Sequence, residues 1–177
     1  MEYINEAMLR RYATDSYKLM EAGIHIKKYA LTGIKRIFLS HSHKDKMLAE
    51  GLINYLGTIG IDLYVDWNDT NMPKITNRQT AESIKSQIVL SDFFLILATS
   101  NALNSKWVPW EIGVADQIKG GRKMAIIPVA DDSGQFKGNE YLQLYKCIRL
   151  EGVYGEEIKL FEAGAYAGSE IKDWLLS

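Results

Sequence analysis

From residue 35 onward, short apolar runs alternate with segments whose apolar residues fall at helical spacing, and this alternation limits the fold more than any other feature. Residues 35–40 (KRIFLS) have an apolar centre and read as a strand. Met47, Leu48, Leu52, Ile53 and Leu56 then follow a helical period that Gly57 or Gly60 ends. Residues 61–65 (IDLYV) predict a second strand and residues 66–73 a long polar turn. Ala81, Ile84, Ile88 and Val89 predict a helix through roughly 77–89. Phe93–Ala98 is a solid apolar run, the mark of a strand buried on both faces. A helix after Pro109 runs to about Lys119, where Gly120 and Gly121 stop it. Residues 124–129 predict a fourth strand, 130–140 a polar loop, 147–150 a fifth strand and 171–176 a closing helix. Such alternation predicts an α/β fold with about five parallel strands and right-handed crossovers.

Residues 1–33 stand apart. Ile4, Met8 and Tyr12 recur every four residues among charges, which predicts one or two amphipathic helices, with Gly23 and Gly33 as candidate caps. The expected organisation is therefore a helical extension over 1–33 and a domain over 34–177. At 177 residues the chain suits one domain able to bury its own core. A net charge of −1 argues against a nucleic-acid footprint. Cys147 is the one cysteine, which excludes an internal disulfide framework, and its strand-like setting predicts a packed thiol rather than a nucleophile. No apolar run reaches the ~18 residues of a membrane span. The polar first residues lack a signal-peptide core, so a cytoplasmic location is expected.

In open parallel sheets, ligands bind outside the carboxyl ends of the strands. Here those ends carry HSHKD, DWNDT, SNALNSKW and ADDSG. No glycine fingerprint for phosphate follows any strand. His41 and His43 lack the companions of a metal site, and Ser42 between them would need partners from elsewhere to act as a nucleophile. A phosphoacceptor receiver domain is disfavoured, because the third strand ends Leu97-Ala98-Thr99 without an acid. Trp107 and Glu111 remain. Each has an ordinary explanation: a carboxylate favours the first turn of a helix, and a Trp often covers a core at a loop junction. Pro109 bears on their geometry. A helix starting near Val108, with Pro109 at its first position, avoids a clash and leaves Trp107 just outside the helix.

In combination these pieces resemble the TIR domain family over about residues 35–150. The resemblance rests on Ile37-Phe38-Leu39-Ser40-His41-Ser42, on Gly60 to Asp66, on Phe93 to Ser100, and on Ser105-Lys106-Trp107-Val108-Pro109-Trp110-Glu111. It implies a flavodoxin-like three-layer fold, self-association through TIR–TIR contacts, and a mobile loop at 66–77 bordering the active site. In enzymatic members, a Trp and a Glu four residues later sit in the NAD+ pocket, which maps to Trp107 and Glu111. By the same resemblance Glu111 is catalytic. Ser40, His41, Ser42 and His43 meet phosphate or ribose, Ser100 is a further substrate-binding residue, and Asp66 and Trp67 border the pocket. The implied activity is an NAD+ glycohydrolase or cyclase without metal or cofactor, of the bacterial type found in antiphage (Thoeris-like) defence, whose nucleotide product a downstream effector senses. A non-catalytic interaction module and a deoxyribosyltransferase-like enzyme are the alternatives.

Overall fold

A computed structural model of the chain describes residues 2–21, 35–59, 61, 78–152 and 157–177. The expected second strand at 61–65, the loop at 66–77 and the boundary near residue 33 lie outside the described residues, Ile61 apart.

The strands β1 (Ile4–Asn5), β2 (Ile37–Ser40), β3 (Phe93–Ala98), β4 (Met124–Ala130), β5 (Lys146–Glu151), β6 (Glu157–Phe161) and β7 (Ser169–Glu170) form one sheet. The order β2-β3-β4-β5 is parallel, as the alternation predicts. Beyond β5 the sheet continues antiparallel through β6 and β7. Residues 157–170 carry no strand prediction. The strands are short: β6 alternates over only Glu157-Ile158-Lys159-Leu160, and β7 is two residues long.

Six helices are described: α1 (Glu6–Glu21), α2 (Lys46–Thr58), α3 (Arg78–Leu90), α4 (Ser100–Leu103), α5 (Val108–Lys119) and α6 (Ile171–Leu176). Side chains alternate across β3 with the pleat. Phe93, Leu95 and Leu97 enter a core shared with α1, α2 and α6, while Phe94, Ile96 and Ala98 enter a second core with α3 and α5. This is a three-layer arrangement, and it explains why the whole run is apolar. Gly120 ends α5 with φ +62°, a conformation open to glycine and strained for other residues.

The start of the chain is built into this frame. Residues 2–5 fill the gap where β4 and β5 diverge. Glu2 exchanges backbone hydrogen bonds with Leu150, while Ile4 and Asn5 run parallel to Val129 and Ala130. Ile4 and Leu9 are fully buried. The Asn5 side chain accepts the Met8 N–H at 2.8 Å and caps α1. Thus the helical period at Ile4, Met8 and Tyr12 is met by α1 from Glu6, but Ile4 itself is a strand residue.

α1 packs so closely on α2 that a Cβ added at Gly51 would lie 1.9 Å from the Leu9 carbonyl oxygen. A backbone atom cannot yield as a side chain can. Gly51→Ala is therefore expected to destabilise the fold by about 2 kcal/mol, despite the ~1 kcal/mol helix-propensity gain of Ala over Gly. Chemical denaturation measures it, and a stabilised variant would contradict this close approach. Burial pushes the Cys147 thiol up to about 11, which keeps it protonated and inert, in line with its reading as a packed residue.

Candidate active site

The site is assembled at the carboxyl end of β2. Ile37 and Leu39 face the α1–α2 side. Phe38, stacked on Phe94 at 5.4 Å, faces the α5 side. One pleat further on, Ser40 projects toward the same side, and there α5 begins.

In α5 the buried positions are Val108, Glu111, Ile112 and Ala115, the i, i+3, i+4, i+7 stripe of a core-facing helix. Glu111 thus occupies a core position, and only 6% of it is exposed. The exposed first-turn carboxylate that helix electrostatics alone would explain is not what is found. The Ser40 hydroxyl donates to Glu111 Oε2 at 2.5 Å, across 71 residues of sequence. A hydroxyl that donates to a carboxylate favours its charged form. The positive end of α5 adds to the same stabilisation.

The start of α5 is decided by Ser105 and Pro109. Ser105 Oγ accepts the Trp107 and Val108 N–H groups at 3.2 and 3.4 Å, and Pro109 has no N–H to satisfy. The helix starts at Val108, as expected, but Pro109 is its second residue rather than its first. Trp107 is the N-cap, and its carbonyl accepts the Glu111 N–H at 2.8 Å. The Trp107 indole meets Trp110 edge-on at 5.2 Å, and Lys85 Nζ lies 5.8 Å from the Trp110 ring centre. Along the chain, Trp110 directly precedes Glu111 and Trp107 stands one turn before it.

The other proposed contacts are distributed unevenly. His41 is half-buried, and its Nδ1 lies 3.0 Å from the Leu39 carbonyl, a contact that holds the ring against its own strand. Ser42 is buried and caps the 3-10 turn His43–Asp45 by accepting the Lys44 N–H at 3.3 Å. His43 is exposed in that turn, and Ser100 is exposed as the first residue of α4. Asp66 and Trp67 lie outside the described residues.

Asp45 is the acid that ends the HSHKD loop after β2. It is 2% exposed. Its two oxygens accept from Thr99 Oγ1 at 2.5 Å and Asn101 Nδ2 at 2.7 Å. Thr99 Oγ1 in turn accepts the Ala102 N–H at 3.0 Å and caps α4. Asp45 thereby ties the loop after β2 to the loop after β3. The partners are 54 and 56 residues away, so no local pattern announces the tie. Thr99 alone carries a local signal, since a Thr ahead of a helical turn is a favoured N-cap.

A parallel three-layer α/β sheet with a buried carboxylate at its carboxyl edge belongs to the class of folds that bind ligands outside the strand ends. Comparison with known sequences makes the assignment specific. The TIR domain family profile matches residues 37–160, and the chain belongs to that family. The chain is 36% identical over 126 residues to a Bacillus cereus (strain MSX-D12) protein named "Probable 3' cyclic ADP-D-ribose synthase ThsB'". The aligned part covers 69% of this chain and 64% of that protein. It is also 27% identical over 100 residues to a Cytobacillus dafuensis protein named "Putative cyclic ADP-D-ribose synthase TIR2", covering 55% of this chain and 26% of that protein. The chain thus spans just under two thirds of the first relative and about a quarter of the second. Among the described residues, no helix is long and apolar enough to cross a membrane.

Proposed function

We propose that this TIR domain cleaves the nicotinamide–ribose bond of NAD+, with Glu111 as the catalytic carboxylate, and forms ADP-ribose or a cyclic isomer of it. The observation that carries the proposal is the buried Ser40–Glu111 pair at the carboxyl edge of the sheet. Two relatives named as cyclic ADP-D-ribose synthases support it.

The chemistry suits one carboxylate. Nicotinamide in NAD+ is a pyridinium and leaves as a neutral molecule, so no acid has to protonate it. Glycosidases that expel an alkoxide need a second carboxyl group for that proton. As the C–N bond breaks, positive charge develops on the ribose ring carbon and oxygen. An ionised carboxylate held by Ser40 and the end of α5 opposes that charge without reorganising. Capture by water yields ADP-ribose. Capture by a nucleophile of the same molecule yields a cyclic isomer, and a proton lost from an attacking hydroxyl passes to Glu111 or solvent. Trp107 and Trp110 offer π-faces to the nicotinamide or adenine ring. By the family resemblance, we assign substrate contacts to His41, Ser42, His43, Ser100, Asp66 and Trp67. TIR–TIR self-association completes the active form, and the product signals to an effector in antiphage defence.

Nicotinamide release from NAD+ by the concentrated protein tests the proposal, with mass spectrometry separating linear from cyclic product. Absence of release at every protein concentration, with NAD+ left intact, would instead favour a TIR–TIR interaction module. Ser40→Ala removes one charge-assisted hydrogen bond from Glu111. It is expected to slow release by about tenfold, the equivalent of ~1.4 kcal/mol. An unchanged rate would mean that this bond does not hold the carboxylate for catalysis.

A further inference from the structure

A cleft of about 530 Å³ lies between the β4–β5 connection and the turn after β6. This is the size of a small-molecule pocket. It shares no lining residue with the Ser40–Glu111 pair. Its origin is topological. The chain crosses from β4 to β5 with one 3-10 turn, Glu140–Leu144, in place of a full helix, so this part of the sheet lacks the cover that α3 and α5 give β3. The walls are aromatic, with Tyr3, Phe136, Tyr145 and Tyr166. Tyr3 is brought there by the inserted N-terminal segment and meets Phe136 at 5.4 Å.

Arg149, also in the lining, is chemically unfinished. Its guanidinium lies over the Phe161 ring at 4.3 Å. Its Nε is buried without a hydrogen-bond partner, and no carboxylate of the described residues pairs with it. Glu162, the one acid in the lining, is engaged by Lys146 Nζ and is 69% exposed. Arg149 as a whole is half-buried, and with Nε closed off by protein its terminal Nη groups are what a ligand in the cleft can reach. The guanidinium fork matches phosphate oxygens two at a time. Aromatic walls suit a planar ring, and the side-chain amide of Asn139 offers a donor and an acceptor to a base edge.

We infer that this cleft is a second ligand site, which takes a nucleotide with its phosphate on Arg149 and its base among the aromatic walls. The inference is independent of Glu111 chemistry. Calorimetry on the full chain with AMP as probe, and with adenosine and inorganic phosphate as comparators, tests it. Saturable AMP binding is expected, with adenosine and phosphate each weaker by at least about tenfold, since each lacks one half of the recognition. Binding is expected to persist in Glu111→Gln and to weaken about tenfold or more in Arg149→Met. Tyr166→Ala alters a residue that is 89% exposed and so leaves the fold intact, and it should weaken AMP severalfold. The inference is overturned if wild-type protein does not bind AMP, or if phosphate alone binds as tightly. It is equally overturned if AMP binding survives both Arg149→Met and Tyr166→Ala but is lost in Glu111→Gln, which would place the nucleotide in the other site.

Discussion

Glu111→Gln is expected to lower nicotinamide release by about a thousandfold, the equivalent of ~4 kcal/mol of transition-state stabilisation. The substitution keeps the volume of the side chain and its place in the buried stripe of α5. It removes the negative charge that, on the proposed mechanism, faces the developing cation. Ser40 still has an acceptor, because the Gln carbonyl oxygen can take the hydroxyl that Oε2 accepts at 2.5 Å. Packing is therefore preserved while chemistry is lost. A helix-end carboxylate with no catalytic role would behave in the opposite way. Its removal would cost roughly 0.3–1 kcal/mol of stability and leave any activity in place. Measuring release and thermal stability on the same variant separates the two cases. A Glu111→Gln protein that cleaves NAD+ at the wild-type rate would end the assignment of Glu111.

Asp45→Ala is expected to destabilise the fold by about 3 kcal/mol, because two hydrogen bonds to a buried carboxylate disappear together. For a chain of this length that corresponds to a fall in Tm of roughly 6–12 °C. Most of the cost falls on Thr99, which is 1% exposed and has no water to turn to. Asn101 is exposed and can rehydrate. Asp45→Asn retains the shape and one acceptor and should cost about 1 kcal/mol, the value of an ordinary neutral hydrogen bond. A loss below that in the alanine variant would show that the loops after β2 and β3 hold together without the carboxylate. The consequence for function is positional. β2 ends in Ser40, five residues before Asp45, so loosening this tie loosens the strand end that orients Glu111.

Much of the frame is legible in the linear chain because its causes are local. Phe93–Ala98 could be read as a buried strand from its unbroken apolarity. α5 could be bounded by Pro109 at one end and Gly120 at the other, each acting through its own backbone chemistry. The features that escaped are those whose cause lies across the fold. Ile4 fits a helical period, yet it pairs with Val129 because β4 and β5 diverge and leave unpaired backbone groups to satisfy. β6 does alternate, Glu157-Ile158-Lys159-Leu160, but over so few residues that the pattern does not stand out alone, and β6 and β7 take their place because β5 offers a free edge.

The same division holds at the candidate site. Residue order and spacing carried the resemblance to the family, and that resemblance assigned Ser40 and Glu111 separate roles, one in binding and one in catalysis. That the Ser40 hydroxyl rests on the Glu111 carboxylate, that Glu111 is a core residue of its helix, and that Asp45 joins two loops were decided by tertiary structure. The physical reason is range. Propensity, capping and periodicity act within a few residues and leave their marks in a linear string. A hydrogen bond between residues 71 apart comes into being only once the sheet has brought two strand ends to one edge.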